Sequence, residues 1–357
     1  MAPMFLDDSL RDLAGSRVPG VAVVIVGAAG IRMRAATGVA DLASGTPMTT
    51  DTAVPWFSMT KLATATTVMR LAARGLLPLD APVLPLVPAM SCLRPASWAK
   101  RITARHLMQH SAGLANPIPL RWVHPPDQPG PDPLEFLHNQ LSKHPRLRFE
   151  PGTKVSYSNL GALVLAAAIT QAADTPFQDV VAQEVLQPTG MTRTSFCYLP
   201  STPPATGNHP RRSPMRLLLP HWVIGKADGR WVSLRPFLVD GAAYGGLVGT
   251  AEDAARFLQM HLAGGQIDGK RVIPTDDAIE MRRINQRGKR YDFGLGWFTP
   301  SAARHTQPAF VEHLGGGAGF FNVMRLYPSL GIGVVVMGNA TSYDIDAVAR
   351  LGLTHMS

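Results

Sequence analysis

The apolar residues of this chain change period along its length. Residues 21–26 form a β-branched run, Val-Ala-Val-Val-Ile-Val, and a strand-like pattern resumes at 31–37 after a turn at 28–30, so the chain opens on a predicted hairpin. The far end mirrors it: 321–327 and 332–337 flank the turn Pro328-Ser329-Leu330-Gly331, and 340–351 reads as a closing helix. Between them the period is helical. Residues 59–74 set Leu62, Thr66, Met69 and Ala73 on one stripe, and 160–172, 176–186 and 252–262 follow the same pattern. Residues 199–220, dense in Pro, Ser and Arg, predict a long surface loop, the kind of segment that shapes substrate choice.

These elements predict an α/β (α+β) protein, with an antiparallel sheet drawn from the N- and C-terminal segments, flanked by helices, and a mostly helical domain inserted between them. The expected boundaries put 1–80 and 240–357 in the α/β domain and 81–239 in the helical one, with a site at their interface. A length of 357 residues suits one large or two interleaved domains, and 46% hydrophobic against 17% charged residues excludes a disordered chain. The longest uncharged stretches, 18–30 and 155–171, carry glycine or polar breaks and fall short of the ~20 apolar residues of a membrane span. Asp7, Asp8 and Arg11 precede the first apolar run, the wrong order for a secretory signal, and Cys92 and Cys197 form no C-x-x-C. A cytoplasmic protein without a disulfide framework is expected.

The net charge of +9 comes from arginine, since only 7 of the 34 basic residues are lysine. Clusters at Arg211, Arg212 and Arg216, and at Arg282, Arg283, Arg287, Lys289 and Arg290, raise a nucleic-acid reading. No recognition helix, metal finger or stacking motif accompanies them, so they read as solvated surface.

Three short segments carry chemistry. Ser58-Met59-Thr60-Lys61 sits at the start of the 59–74 helix, which sets a hydroxyl and an amine one turn apart on the same face. A serine becomes a nucleophile only when a neighbouring base takes its proton, and lysine serves as that base when burial lowers its pKa. The same spacing recurs at Ser97-Trp98-Ala99-Lys100, but in a proline-rich link without a following helix. Tyr157-Ser158-Asn159 precedes an apolar helix; beside a cationic lysine the tyrosine is expected to reach the phenolate and relay protons, while the asparagine amide bonds lysine and substrate. Ser158 or Asn159 also fits the helix cap. The third segment, His313-Leu314-Gly315-Gly316, opens a glycine run that permits close backbone approach.

In this order the three segments resemble the class C β-lactamase-like serine hydrolases, which include family VIII carboxylesterases, D-aminopeptidases and D,D-carboxypeptidases. Further matching stretches are 107–114 (LMQHSAGL), 187–191 (QPTGM), 245–253 (GGLVGTAED) and 293–297 (FGLGW). The resemblance implies a β-lactamase/transpeptidase-like fold, Ser58 as nucleophile, Lys61 and Tyr157 sharing acid and base duty, and Asn159 orienting lysine and substrate. It implies an oxyanion hole from the N–H groups of Ser58 and Gly316, beside Gly315. His313 stands where true class C β-lactamases carry a lysine that holds the β-lactam carboxylate, which shifts the expectation from antibiotics toward small esters or amides. Asn116 is a further expected polar contact, and the pocket walls are expected from the 199–220 loop and from Trp222, Trp231 and Tyr244.

Other motifs fail on their own terms. Gly264 to Lys270 resembles a phosphate-binding loop but is followed by Arg271 where a Ser or Thr must meet Mg²⁺; a turn explains it better. The G-x-S-x-G elbow is missing, and Ser111 in Gln109-His110-Ser111-Ala112-Gly113 is a poor nucleophile candidate. The 11 histidines form no ligand-spaced motif, so neither metal nor cofactor is expected. The expected partner is a small ester or amide, with no nucleic acid and no membrane; the oligomeric state stays open.

Overall fold

A computed structural model describes residues 6–354. Residues 1–5 and 355–357, assigned above to the α/β domain, lie outside the described residues. In chain order the framework runs α1 (Leu6–Ala14), β1 (Gly20–Gly27), β2 (Gly30–Asp41), β3 (Thr46–Pro47), α2 (Thr60–Ala73), α3 (Asn159–Ala173), β4 (Gly207–Pro210), β5 (Ile224–Asp228), β6 (Trp231–Leu234), α4 (Ala251–Leu262), β7 (Tyr291–Phe293), β8 (Phe298–Pro300), β9 (Val311–Gly317), β10 (Phe320–Tyr327), β11 (Ile332–Gly338) and α5 (Ile345–Thr354). The main sheet has eight strands in the order β7-β8-β9-β10-β11-β1-β2-β3, with antiparallel neighbours throughout. The first and last parts of the chain meet at its centre, where Val21 pairs with Gly338 and Val26 with Gly333.

Strand β1 is buried at every position, which explains its unbroken apolar run. Successive side chains leave opposite faces. Val21, Val23 and Ile25 join one core with residues of α1 and α5, whereas Ala22, Val24 and Val26 join the larger core with α2 and α4. Helices therefore cover both faces of the sheet. Helix α2 is a core helix, buried at all but three of its fourteen positions. Its threonines are tolerated there because the hydroxyls of Thr66 and Thr67 donate to the carbonyls of Leu62 and Ala63 one turn back.

Between residues 81 and 239 lie α3, further short helices and a three-stranded sheet in the order β4-β6-β5. This corrects the reading of 199–220 as an irregular loop: Gly207–Pro210 is a strand paired with Trp231–Leu234. Proline and serine density hid it, because β4 is held by distant partners rather than by its own propensity. The helix expected at 176–186 is an α-turn, Phe177–Val181, that relaxes into a π-helix at Ala182–Leu186. The 264–270 segment is a turn between two short paired strands, Gln266–Ile267 and Lys270–Arg271. No single helix among the described residues is long and apolar enough to cross a membrane.

Candidate active site

Ser58 lies in a 3-10 turn, Phe57–Met59, that feeds directly into α2. Phe57 takes a left-handed φ of 47°, a conformation that costs a non-glycine residue about 1–3 kcal/mol and persists only where packing enforces it. Here the packing is β9. A Cβ on Gly317 would sit 2.2 Å from the Phe57 ring, and one on Gly315 would sit 2.1 Å from the Trp56 carbonyl oxygen. The glycine run thus lets a sheet strand press against the turn that presents Ser58. Gly315→Ala is expected to cost about 1–3 kcal/mol of stability, in the range of core overpacking, and to lower ester turnover. At Gly316 the nearest atom to an added Cβ is 3.4 Å away, so Gly316→Ala should unfold close to wild type. Thermal denaturation of both variants checks the contrast.

Lys61 is only 5% exposed, one turn beyond Ser58. Its Nζ lies 3.2 Å from Ser58 Oγ and donates to Asn159 Oδ1 at 2.9 Å and to the Tyr244 carbonyl at 2.7 Å. Desolvation holds the amine well below the ordinary lysine value of 10.5. Tyr157 stands beside it, with Nζ 5.0 Å from the ring centroid. Burial pushes its phenol above 10, and the hydrogen bond with Ser58 pulls only weakly the other way. The raised phenol pKa runs against the expected phenolate. The same desolvation acts on both groups, lowering the pKa of the lysine and raising that of the tyrosine.

Asn159 opens α3, capped by Ser158, whose Oγ accepts from Gly161 N–H at 3.2 Å. The capping reading and the site reading hold together. Asn116 Oδ1 accepts from Asn159 N–H at 2.9 Å, so Asn116 fixes Asn159 in addition to bordering the site. His313 is buried, and its Nδ1 lies 2.9 Å from the Leu314 carbonyl, which places the proton on Nδ1 and leaves Nε2 as an acceptor without a partner. Burial lowers its pKa to about 3, so the ring is neutral.

Two cavities meet at Ser58. One, about 260 Å³, is apolar, walled by Leu120, Val123, Leu219, Val223, Phe237 and Tyr244 among others. The other, about 660 Å³, is bordered by His313, Asn116 and the segment 288–291. Ser58, Tyr157 and Gly316 border both. Of the expected walls, Tyr244, Leu219 and Pro220 line the smaller cavity. Trp231 and Trp222 line neither: Trp231 packs in the core of α1 and α5, and Trp222 against the larger core.

His110 escaped the sequence reading. Its ring lies between those of Tyr157, at 4.4 Å, and Phe293, at 4.9 Å, and its Nδ1 accepts from Ser158 N–H at 3.2 Å. The signal lay within the 107–114 stretch, but stacking against a residue nearly fifty positions away has no local signature. The Tyr244 carbonyl was equally hidden, since every residue carries one. Ser111 is fully buried, while Ser97 and Lys100 of the second Ser-x-x-Lys are exposed. Among the described residues no group of three or more His, Cys, Asp or Glu is placed to hold a metal.

The eight-stranded sheet, its covering helices and the Ser58 turn at the head of α2 define the β-lactamase/transpeptidase-like fold. The chain belongs to the Beta-lactamase family, whose sequence profile matches residues 6–353. It is 30% identical to esterase EstB of Burkholderia gladioli, over 95% of this chain and 89% of that protein. It is also 30% identical to protein Rv1367c of Mycobacterium tuberculosis, over 72% of this chain and 66% of the relative's length, and 25% identical to the D-alanyl-D-alanine-carboxypeptidase/endopeptidase AmpH of Escherichia coli, over 80% and 71%. Among solved structures, the D-amino acid amidase of Ochrobactrum anthropi superposes with a TM-score of 0.81 at 20% identity, covering 99% of both chains.

Proposed function

We propose that the protein is a serine hydrolase that forms a covalent acyl-enzyme on Ser58 and acts as a carboxylesterase on small esters, without a cofactor. The observation that carries this reading is the set of contacts at Lys61 Nζ. A neutral amine has two N–H bonds and one lone pair. The Asn159 and Tyr244 oxygens only accept, so they take both N–H bonds and leave the lone pair for the Ser58 hydroxyl at 3.2 Å. Lys61 then removes the Ser58 proton as Oγ attacks the substrate carbonyl. The N–H groups of Ser58 and Gly316, both at the junction of the cavities, receive the oxyanion.

Tyr157 rests as a phenol and donates its proton to the departing alkoxide. It recovers a proton from the Lys61 ammonium, which restores both groups. Water then repeats the sequence against the acyl-enzyme and frees Ser58. The apolar cavity suits the hydrocarbon half of an ester, and the 30% identity to an esterase over nearly the whole chain supports the same choice. We assign the protein to the cytoplasm, supported by two cysteines that both remain free thiols; fractionation of producing cells tests this.

One observation favours a second reading, hydrolysis of a D-amino-acid amide or peptide. The unpartnered Nε2 of His313 would accept the N–H that an amide has and an ester lacks. Parallel kinetics with a nitrophenyl butyrate, a D-alanyl anilide and a chromogenic cephalosporin separate the readings. The ester should lead in kcat/KM by about tenfold or more, because its alkoxide or phenolate departs more easily than an amide nitrogen. Ester turnover trailing either of the others overturns the esterase assignment.

A further inference from the structure

The larger cavity carries a charge pattern that the hydrolytic chemistry leaves unused. Arg148, Lys289 and Arg290 line it, and no Asp or Glu does. Several arginines elsewhere find carboxylates: Arg34 pairs with Glu252, Arg101 with Glu150 and Arg193 with Asp51. Among the described residues, the side chains of Arg148, Lys289 and Arg290 have no ion pair and no hydrogen bond. Three unpaired cations around a pocket that opens on a nucleophile are an arrangement that attracts an anion.

The segment that carries two of them is held in place. Gly288 N–H donates to Asp292 Oδ1 at 3.0 Å, Ser301 Oγ donates to the Gly288 carbonyl at 3.0 Å, and Ser301 N–H donates to the Arg290 carbonyl at 2.8 Å. Asp292 is locked in turn by Arg304 through two bonds of 2.6 and 2.7 Å. A Cβ on Gly288 would lie 2.7 Å from Val155 Cγ2, so the segment rests on the chain two residues before Tyr157. Arg148 approaches from another element, its backbone N–H bonded to the Gly113 carbonyl at 2.8 Å. On the same cavity, the almost fully buried His313 keeps an acceptor without a partner.

We propose that Arg148, Lys289 and Arg290 form an anion-reading subsite, which selects esters that carry a carboxylate on the half of the molecule lying outside the apolar cavity. The subsite deepens the acyl-enzyme reading of Ser58 and rests on it. His313, which burial keeps neutral, contributes no charge to this subsite.

Two substrate pairs test it. Charge sits on the leaving group in 4-acetoxybenzoate against its methyl ester, and on the acyl group in nitrophenyl monoadipate against nitrophenyl methyl adipate. In at least one pair the charged member should lead in kcat/KM by about tenfold at low salt, as expected for a few partly exposed charge contacts, and the lead should shrink as salt rises to about 0.5 M. Lys289→Ala/Arg290→Ala and Arg148→Ala should each lower the charged-to-neutral ratio toward one. Lys226→Ala/Lys270→Ala, which removes two exposed charges that line neither cavity, should keep it. Neutral members leading in both pairs, or a ratio that ignores the site variants, overturns the subsite. Should no ester be hydrolysed, the esterase reading fails by itself. Calorimetric binding of 4-hydroxybenzoate and adipate to wild type and to Lys289→Ala/Arg290→Ala then decides the subsite, equal affinities rejecting it.

Discussion

Replacing Ser58 with alanine removes ester turnover by about 10⁴-fold or more while leaving the folded protein within about 0.5 kcal/mol of wild type. The loss is large because the oxygen removed is the one that forms the acyl bond, and neither of the other serines weighed as a nucleophile is placed to replace it. Ser111 is fully buried, and Ser97 stands exposed beside an exposed Lys100. The stability change is small because Ser58 is only partly buried and its Cβ survives the substitution. A fluorophosphonate probe should label wild type on the peptide containing Ser58 and fail to label Ser58→Ala. Label on any other serine, or full esterase activity in the purified variant, would falsify the nucleophile assignment. Lys100→Ala, the control at the second Ser-x-x-Lys, should turn over esters like wild type.

Lys61→Met is expected to lower kcat by about 10²- to 10⁴-fold, the usual contribution of a positioned general base. It should also change how stability depends on pH. In the folded protein burial keeps the Lys61 pKa well below 10.5, whereas the unfolded chain regains the ordinary value. In the window just below 10.5 the unfolded chain therefore binds a proton that the folded chain does not, and stability rises with pH there. Methionine fills a similar volume without a proton, so the variant loses this contribution: its unfolding free energy should climb less steeply, by up to about 1.4 kcal/mol per pH unit. Urea unfolding of both proteins between about pH 8 and pH 10 measures the slope. Absolute stability is a poorer guide, because the introduced methionine would leave the Asn159 and Tyr244 oxygens without their donor. Equal slopes would mean that Lys61 stays charged inside the folded protein, and its role as the resting base would fall.

Much of the site was legible in the chain because its parts are local. A serine one helical turn from a lysine is a statement about 3.6-residue geometry, and the long helix that follows distinguishes Ser58 from Ser97 without any tertiary knowledge. The hairpins at both ends were equally readable, since a β-branched run is apolar at every position when helices cover both faces of its sheet. Misreadings fell where distant partners decide the outcome. Strand β4 looked like loop because its pairing with β6 across more than twenty residues outweighs its prolines and polar residues. Trp231 was expected at the pocket, yet the alternation of β6 turns it into the core of α1 and α5.

Residue order alone therefore supplied the inventory and the local geometry: strands at both ends, a core helix led by Ser58 and Lys61, a capped helix carrying Asn159, and a glycine run able to approach another backbone closely. The pKa shifts of Lys61 and Tyr157, the stacking of His110 and the placing of three unpaired cations on the cavity wall come from the folded arrangement. Those properties depend on desolvation and on contacts between residues far apart in the chain, and neither is encoded in the spacing of neighbours.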